Sequence, residues 1–392
     1  MKTNNKLKIL QFINSHSNWR ELLTKEPYNI MIRDDGEYTL LKYNQLFCDF
    51  NEQIVREARG LIIKKEGKRY IPVCIPYTKF FCLGDPNARR DIRKLAHRKY
   101  WHIQEKIDGS LIKLWFDNGK WHVSTNGTID ANKAPLQFPI NNIKTYYDEF
   151  MYAAKDKVDF SLLDKQYTYM FELVGLENKV IVPYDKENIY YLGRRNNLTL
   201  LETPYEEDEC IGITCLRPKQ LKVFIGDVPK KKAFNELIYM TNKLTTNDTN
   251  FEGFVVSDKH LKTRIKTKSL EYMKLFKMKG NGIYSPKKIL LMILDSKDDD
   301  VLSFFPEYIP AFNRIKYLLF TWLNGIREDL KYMSINTWED RKSFAEWAKN
   351  STYSPILFRA YGNSNVNEEW LQNEIKNISI DNLVKFIGAD NV

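Results

Sequence analysis

The residues of this chain best suited to chemistry are charged side chains set inside short apolar runs. Lys106 ends one such run, residues 101–106, and Asp108 and Gly109 follow it directly. A lysine amine can attack a nucleotide phosphate, an aspartate can orient the amine or a metal, and a glycine lets the backbone approach a phosphate. The same residues could form a plain turn between two strands. The interpretation therefore depends on whether the chain also contains the other charged residues that such a site needs.

Further charged residues occupy strand-like runs on both sides of Lys106. In chain order they are Arg59, Lys79, Glu172, Glu252, Lys266 and Lys268. Half-buried strands carry few charges unless those charges face a site. The whole series therefore predicts a polyphosphate pocket that also holds acidic groups for a metal or a sugar.

Length and composition indicate a globular chain of two domains, or three. Hydrophobic residues make up 43% of the 392 residues, and no apolar run approaches the about 18 residues of a membrane span. The N-terminus has no signal-peptide core and the five cysteines form no Cys-x-x-Cys pair, which predicts free thiols and a cytoplasmic location. The formal charge of +10 predicts a polyanionic partner, although a lysine-rich, AT-rich genome would give the same charge.

The predicted elements change character once along the chain. A helix is predicted over residues 5–25. Strand-like runs and turns dominate from residue 28 to residue 266, with a hairpin at Asp117-Asn118-Gly119, and helical patterns interrupt them within residues 85–99, 144–155 and 229–244. The later pattern is helical, at residues 287–294, 311–323, 340–349 and 368–377. We therefore place a boundary at Gly280-Asn281-Gly282 and expect domains over residues 1–281 and 282–392.

The ordered motifs resemble those of the bacteriophage-type, ATP-dependent RNA ligase 1 family, within the covalent nucleotidyltransferase superfamily of ligases and capping enzymes. The similarity covers nearly the whole chain. The matching segments are Tyr43-Asn44, Arg59-Gly60, Lys79-Phe80-Phe81, Lys106-x-Asp108-Gly109, Phe171-Glu172 with residues 178–184, Glu252-Gly253-Phe254-Val255, Lys266-Thr267-Lys268 with its spacing to Tyr272, and residues 340–345.

The resemblance implies an α+β fold, with a nucleotidyltransferase (ATP-grasp-like ligase) domain of antiparallel sheets and flanking helices, and an all-α C-terminal domain. It implies an ATP-dependent RNA ligase that joins an RNA 5′-phosphate to a 3′-OH through lysyl-AMP and adenylated-RNA intermediates. The implied cofactors are ATP and Mg²⁺ or Mn²⁺. No series of short strands follows Gly280, which argues against the OB-fold domain of capping enzymes. The alternatives are a catalytically inactive RNA-end-binding module and another covalent nucleotidyltransferase.

The resemblance also assigns residues to roles. The implied catalytic residues are Lys106, Asp108, Glu172 and Glu252. The implied ATP-binding residues are Tyr43, Arg59, Lys79, Lys106, Glu172, Lys266 and Lys268. The implied metal ligands are Glu252 and, by its spacing from Pro286, Asp299 in the acidic run Asp298-Asp299-Asp300. Such a run is otherwise typical of a solvated turn.

The chain departs from the family pattern at one position and leaves a second motif open. Asn126, in Ser124-Thr125-Asn126-Gly127, stands where the family usually carries a basic residue, which puts one phosphate or RNA contact in question. Arg264-Ile265-Lys266 is an alternative register for the motif assigned to Lys266 and Lys268, but the spacing to Tyr272 favours the latter pair.

The implied partner is RNA with single-stranded ends, because a shallow basic groove can hold strand termini without reading bases. A broken tRNA anticodon loop is one such substrate, and the helical tail of the family bears on tRNA choice. The resemblance leaves room for an end-healing kinase or phosphatase as a partner. No membrane partner is expected, and a viral chain would act in the host cytoplasm.

Overall fold

The computed structural model describes residues 7–45, 47–140, 142–175, 181–182, 184–209, 211–224, 229–243, 251–278, 285–295, 298–299, 302, 309–338 and 340–389. The chain divides into two compact units, Met1–Lys279 and Gly280–Val392. The boundary predicted at Gly280-Asn281-Gly282 falls outside the described residues. Within the described ranges, no helix has the length and apolar character needed to cross a membrane.

The first unit combines short helices with antiparallel strands. Its described strands are β1 (Ile30–Asp35), β2 (Tyr38–Tyr43), β3 (Arg59–Glu66), β4 (Arg69–Cys74), β5 (Phe81–Cys82), β6 (Tyr100–Lys106), β7 (Ser110–Asp117), β8 (Lys120–Thr125), β9 (Pro135–Ile140), β10 (Ile143–Thr145), β11 (Tyr167–Val174), β12 (Asn188–Asn196), β13 (Gln220–Phe224), β14 (Gly253–Ser257) and β15 (Arg264–Lys268). Its described helices are α1 (Lys8–Ser15), α2 (Trp19–Thr24), α3 (Gln53–Glu57), α4 (Arg89–Ala96), α5 (Tyr146–Ala154), α6 (Lys230–Lys243) and α7 (Leu270–Met278).

These strands form three larger sheets, in the orders β1-β2-β3-β4, β12-β11-β7-β8 and β13-β6-β14-β15-β5, besides the pair β9-β10. Neighbouring strands in these sheets pair antiparallel, except β15 and β5, which are parallel. The predicted hairpin at Asp117-Asn118-Gly119 joins β7 to β8, and Asn118 and Gly119 both have positive φ, as such a turn requires. The turn at residues 107–109 connects β6 to β7 and so joins the second sheet to the third.

The first sheet is covered by the N-terminal helices, whose buried side chains include Ile9, Ile13 and Leu23, packed against Leu41 and Leu61. The single helix predicted over residues 5–25 is wrong, because α1 ends at Ser15 and α2 begins at Trp19. Polar side chains at the break bond to backbone groups instead of continuing the helix: the Ser15 hydroxyl donates to the Phe12 carbonyl at 3.0 Å.

The five-stranded sheet has one apolar and one polar face. Trp101, Ile103, Phe254, Val256 and Ile265 alternate along β6, β14 and β15 and form a buried core with α4 and α6. Successive strand residues point to opposite faces, so the charged residues between them share the other face. The second sheet is built likewise, with α5 packed on one face through Phe150, Ala153 and Ala154.

The described part of the second unit is helical and contains no strand. Its helices are α8 (Pro286–Leu294), α9 (Ile309–Ile335), α10 (Arg341–Lys349), α11 (Ser354–Ala360), α12 (Glu368–Lys376) and α13 (Ile380–Phe386). Asp340 begins α10 by accepting a hydrogen bond from the Ser343 amide at 2.7 Å, and the buried Phe344 ring stacks on Tyr361 at 4.0 Å. Antiparallel sheets with flanking helices, followed by a helical region, confirm the predicted α+β class.

Candidate active site

Lys106, Glu252 and Lys268 meet where β6, β14 and β15 run side by side. In the antiparallel register, Gly253 lies opposite both Lys106 and Lys268. The Glu252 carboxylate, one residue before β14, accepts a hydrogen bond from Lys106 Nζ at 2.6 Å on Oε2 and lies 2.9 Å from Lys268 Nζ on Oε1. One carboxylate next to β14 thus contacts two lysines, one from β6 and one from β15.

This cluster carries more positive than negative charge. The side chains of Glu252 and Lys268 are 1% and 5% exposed, whereas that of Lys106 is 22% exposed. Among the described contacts, two ammonium groups share one buried carboxylate, and the Lys106 side chain is the most exposed of the three. Such a grouping of cations attracts anions. Lys106 is therefore the accessible amine of a cationic pocket.

Glu172 brings a second carboxyl to this pocket from the middle of β11. Burial raises its pKa to about 7, the neighbouring Lys106 and Arg59 oppose that rise, and the charges of Glu252 and Asp108 add to it. These interactions place Glu172 close to the lysine cluster, although the two lie in different sheets. With a pKa near neutrality, the carboxyl can either donate or accept a hydrogen bond at physiological pH.

Gly109 allows the turn after Lys106 to lie directly against β11. A Cβ atom at this position would stand 2.3 Å from the Leu173 carbonyl oxygen and 3.1 Å from Glu172 Cγ. Any side chain there would push the Lys106 turn away from Glu172. The glycine is thus required by the close approach of the two sheets at the site.

Asp108 is buried, at 4% exposure, and both of its carboxylate oxygens are engaged. Oδ2 accepts hydrogen bonds from the backbone amides of Ile181 and Val182 at 2.8 and 2.9 Å, and Oδ1 accepts one from the Tyr272 hydroxyl at 2.9 Å. These bonds connect the turn after Lys106 to two distant segments of the chain. The geometry supports an orienting role for Asp108, with no oxygen turned toward Lys106.

Arg59 supplies a guanidinium at the start of β3. It lies over the Phe80 ring, 5.1 Å from the centroid, and its Nη1 atom is buried with no hydrogen-bond partner in the described part of the chain. A buried donor without an acceptor is costly, so this guanidinium is suited to accept an anionic ligand as its partner. Its charge opposes the rise in the pKa of Glu172, so the two side chains lie within electrostatic reach of each other.

Tyr43 and Lys79, which lie on either side of Arg59 in the sequence, form a cation–π contact. Lys79 Nζ stands 5.1 Å from the Tyr43 ring centroid, and the rings of Phe50 and Phe81 are 5.5 and 5.4 Å away. The lysine is 8% exposed, and its ammonium lies 3.5 Å from Gln45 Oε1. The two upstream residues thus form a cation–aromatic cluster of their own.

The register of the last lysine motif follows from the pairing of β14 with β15. Arg264, Lys266 and Lys268 alternate along β15 and share the polar face, opposite Ser257, Val255 and Gly253. Lys268 contacts Glu252, whereas Arg264 is paired with Glu202. This geometry favours Lys266 and Lys268 over the alternative pair Arg264 and Lys266.

The residues considered as metal ligands are not gathered into one cluster. In the ranges that the structure describes, no group of three or more His, Cys, Asp or Glu side chains could hold a metal. Both oxygens of Glu252 face lysines, and Asp299 belongs to the second unit, where it is 8% exposed. Its neighbour Asp298 pairs with Lys316 at 2.5 Å.

Sequence reasoning missed Lys113 and Tyr184. Lys113 lies in β7, is fully buried, and donates to the Gly60 carbonyl next to Arg59. The Tyr184 hydroxyl accepts a hydrogen bond from the Asp108 amide at 3.3 Å. The signal for Lys113 was present, since it is a lone charge in the apolar run of Leu111 to Trp115, the same criterion that singled out Glu172.

The chain is similar to several RNA ligases. It is 26% identical over 300 residues to a protein of Autographa californica nuclear polyhedrosis virus named as a bifunctional polynucleotide kinase/RNA ligase, covering 72% of this chain and 40% of the relative. It is 28% identical over 199 residues to the RNA ligase of Rhodothermus phage RM378, covering 45% of this chain and 44% of the relative. The matches thus span less than half of each relative's length.

A solved archaeal ATP-dependent RNA ligase aligns with 84% of this chain and 84% of its own, at a TM-score of 0.44 and 12% identity. The model of the RNA ligase family matches residues 57–282, more than half of the chain and the whole span from Arg59 to Lys268. This match confirms the resemblance found in the motifs: the chain belongs to the RNA ligase family.

Proposed function

We propose that this chain is an ATP-dependent RNA ligase that joins a 5′-phosphate end to a 3′-OH end through a lysyl-AMP intermediate on Lys106. The observation that carries the proposal is the cluster of Lys106, Glu252 and Lys268, which presents one accessible amine beside excess positive charge. A nucleophilic amine among fixed cations suits attack on a phosphate.

In the first step, the neutral Lys106 amine attacks the α-phosphorus of ATP. A nitrogen–phosphorus bond forms as the bond to the bridging oxygen of the β-phosphate breaks, and pyrophosphate leaves with the electron pair. The Lys106 ammonium must first lose a proton, and Glu252 Oε2 at 2.6 Å is positioned to take it. Lys268 and Arg59 offset the charge on the phosphate oxygens, because phosphoryl transfer depends mainly on positioning and electrostatics.

In the next two steps the adenylate moves and then leaves. An oxygen of the RNA 5′-phosphate attacks the phosphorus of lysyl-AMP, forms a pyrophosphate bridge and releases the Lys106 amine. The RNA 3′-OH then attacks the 5′-phosphate, forms the phosphodiester, gives up its proton and releases AMP. Glu172, across the pocket from Lys106, is placed to contact the sugar hydroxyls of the nucleotide, and its carboxyl can donate or accept at neutral pH.

A divalent cation, Mg²⁺ or Mn²⁺, supplies charge neutralisation for the phosphates when it is bound. The carboxylate oxygens of Glu172 and Glu252 are hard ligands of the kind these ions prefer. Because Glu252 also holds two lysines, its share in metal binding is expected to pass through water. We extend the metal proposal to Asp299 in the second unit, as a residue that affects RNA joining more than lysine adenylation.

The proposed substrate is RNA with single-stranded ends, of which a broken tRNA anticodon loop is one example. We propose that residues 1–281 perform adenylyl transfer, that residues 282–392 influence the choice of tRNA, and that the protein acts in the cytoplasm, of a host cell if the chain is viral. The kinase named in the viral relative supports coupling to an end-healing kinase or phosphatase.

The test of the function is incubation with α-labelled ATP and Mg²⁺ or Mn²⁺, followed by a denaturing gel and mass mapping of the adduct. Wild type should form an AMP adduct on Lys106. Lys106→Ala should form none and lose RNA sealing, while Lys120→Ala, an exposed lysine of β8, should behave as wild type. Full sealing by Lys106→Ala would refute the mechanism.

The nucleotide and the nucleic acid are then varied. An adduct formed with ATP, and sealing of 5′-phosphate RNA in preference to DNA, are the expected results. Absence of any adduct would indicate an inactive RNA-end-binding module, and an adduct with GTP instead would indicate a capping-type nucleotidyltransferase.

A further inference from the structure

Lys113 is a buried cation that the proposed reaction has not yet used. Its side chain is fully buried in β7, and its ammonium donates to the Gly60 carbonyl at 2.5 Å. Among the described residues this is its single hydrogen bond, and no carboxylate pairs with it. Burial lowers the pKa of Lys113, and the nearby charge of Arg59 lowers it further.

A lysine in such a place is costly to the fold. Removing an ammonium from water is unfavourable unless a carboxylate compensates it, and one carbonyl oxygen compensates it only in part. An apolar side chain of similar length would fill the same space without that cost. The presence of a charge here therefore indicates a role besides packing.

The acceptor of Lys113 is the residue that gives β3 its irregular start. Leu41 pairs with Leu61, but Lys42 pairs with Arg59, so Gly60 is an extra residue in β3. Gly60 has a φ of +78°, a left-handed conformation that favours glycine. A bulge of this kind bends the strand and redirects the neighbouring side chain, which here is that of Arg59.

The space around the bulge is closed on two sides. A Cβ atom at Gly60 would lie 2.8 Å from the Asn126 carbonyl oxygen and 3.0 Å from Lys113 Nζ. Lys113 and the backbone of Asn126 thus hold Gly60 between them. Lys113 also places a cation beside Asn126, the position where the family pattern led us to expect a basic side chain.

We propose that Lys113 is a positioning residue that holds the Gly60 bulge and thereby directs the Arg59 guanidinium toward the phosphates of the bound nucleotide. The inference rests on the proposed function for the identity of the ligand. Arg59 is suited to be the residue so directed, because its Nη1 donor is buried and lacks an acceptor in the described part of the chain. Lys113 itself does not touch the nucleotide and acts through the backbone.

The experiment compares Lys113→Met, Arg59→Ala and the double variant, with Lys64→Met as the control. Lys64 is a half-buried lysine further along β3 that pairs with Asp117 at 2.6 Å. Two quantities are measured for each variant: the Tm, and the Kd for an ATP analogue with a methylene bridge between the α- and β-phosphates. The analogue binds without reaction, so the measurement does not depend on catalysis.

Lys113→Met should weaken analogue binding about tenfold or more, as loss of a residue that orients a ligand group does, while its Tm stays at or above that of wild type. The double variant should bind no more weakly than Arg59→Ala alone, because both changes remove the same contact. Lys64→Met should lower the Tm and leave the Kd unchanged. The adenylation assay should show a raised KM for ATP in Lys113→Met, with a smaller change in kcat.

Unchanged binding by Lys113→Met, or independent losses that multiply in the double variant, would overturn the inference. If Lys113→Met fails to fold, Gly60→Ala replaces it, since the added Cβ displaces the bulge from the other side and should reproduce the Arg59→Ala affinity. A wild-type protein that binds the analogue but forms no lysyl-AMP would refute the proposed function and leave the positioning role of Lys113 standing.

Discussion

Two ionic clusters on the polar face of the same sheet differ in how their charges are matched. Near one end of β15, Lys268 shares the single Glu252 carboxylate with Lys106. Four residues earlier on that strand, Arg264 forms an ion pair with Glu202, with one nitrogen donating at 3.0 Å and a second, shorter contact beside it. Among the described contacts, the first cluster has an excess of cations, because two lysines share one carboxylate, and the second is balanced, because one arginine pairs with one carboxylate.

The balanced cluster extends to a neighbouring pair. Arg194 Nε stands 3.1 Å from Asp208 Oδ1, and the Arg264 guanidinium lies 4.3 Å from the Tyr77 ring centroid. These cations are compensated within the protein, so they stabilise the interior and have little attraction left for a ligand. The difference teaches that the number of carboxylates per cation, rather than the number of cations, distinguishes the part of this face that we propose as the phosphate site.

The largest effect is expected from breaking the balanced cluster. Arg264→Met leaves the largely buried Glu202 carboxylate without its hydrogen-bonded partner, which should lower the free energy of unfolding by about 3 kcal/mol. Urea denaturation measures this loss. The double variant Arg264→Met/Glu202→Leu removes both charges and should recover most of the stability. Lysine adenylation by the folded fraction of either variant should be close to that of wild type, and a selective loss of adenylation would contradict the division between the clusters.

The next effect comes from the cluster with excess charge. Lys268→Met should lower the rate of lysyl-AMP formation by about 10²–10³-fold, the range typical of removing one fixed donor to a developing charge. Stability should change little, because Lys106 still compensates Glu252 at 2.6 Å. Single-turnover kinetics with α-labelled ATP, together with urea denaturation, separate the two quantities. A large loss of stability with normal adenylation would mean that Lys268 belongs with Arg264.

Features of the fold that depend on neighbouring residues could be predicted from the sequence, whereas contacts between residues far apart in the chain could not. The α+β class and the helical tail follow from local patterns, as the predicted helix at 287–294 and the observed α8 at Pro286–Leu294 illustrate. The alternation of Arg264, Lys266 and Lys268 also indicates a shared face. Family motifs named Lys106, Glu172 and Glu252 in their order along the chain, and their assigned roles remain predictions.

The pairing of charges could not be read in the same way. The Lys106–Glu252 contact spans 146 residues, and the Asp108–Tyr272 hydrogen bond spans 164. Such contacts depend on strand register and on which carboxylate each cation reaches, and neither is encoded by local spacing. Lys113 could be noticed as a lone charge in an apolar run, but the role proposed for it depends on the bulge at Gly60, on another strand.

A smaller effect is expected in how the free energy of unfolding depends on pH, and this dependence should differ between Glu172 and the balanced cluster. The folded carboxyl of Glu172 keeps its proton up to a pKa of about 7, whereas an unperturbed glutamate releases it near 4.5. Between these values the unfolded state binds fewer protons, so the free energy of unfolding falls as pH rises from about 4.5 to about 7 and stays low above it. Glu172→Gln removes this dependence.

The variant should therefore gain stability relative to wild type between pH 5 and pH 8, on the order of 2 kcal/mol. Chemical denaturation at the two pH values measures the change. Glu202→Gln, in the balanced cluster, is the control, and it should be less stable than wild type at both pH 5 and pH 8. A Glu172→Gln variant whose stability relative to wild type is the same at pH 5 and pH 8 would show that the carboxyl of Glu172 titrates normally.

The smallest effect on adenylation is expected in the second unit. Asp299→Ala should change the rate of lysyl-AMP formation by less than about twofold while weakening the metal dependence of RNA joining or the sealing of broken tRNA. Its neighbour provides the control, because Asp298 is paired with Lys316 at 2.5 Å and Asp298→Ala should lower stability without altering the metal response. Titration of Mg²⁺ and Mn²⁺ in separate adenylation and sealing assays measures both outcomes. Loss of adenylation in Asp299→Ala would contradict the role proposed for this aspartate, because it would assign Asp299 to the first chemical step rather than to the joining of RNA.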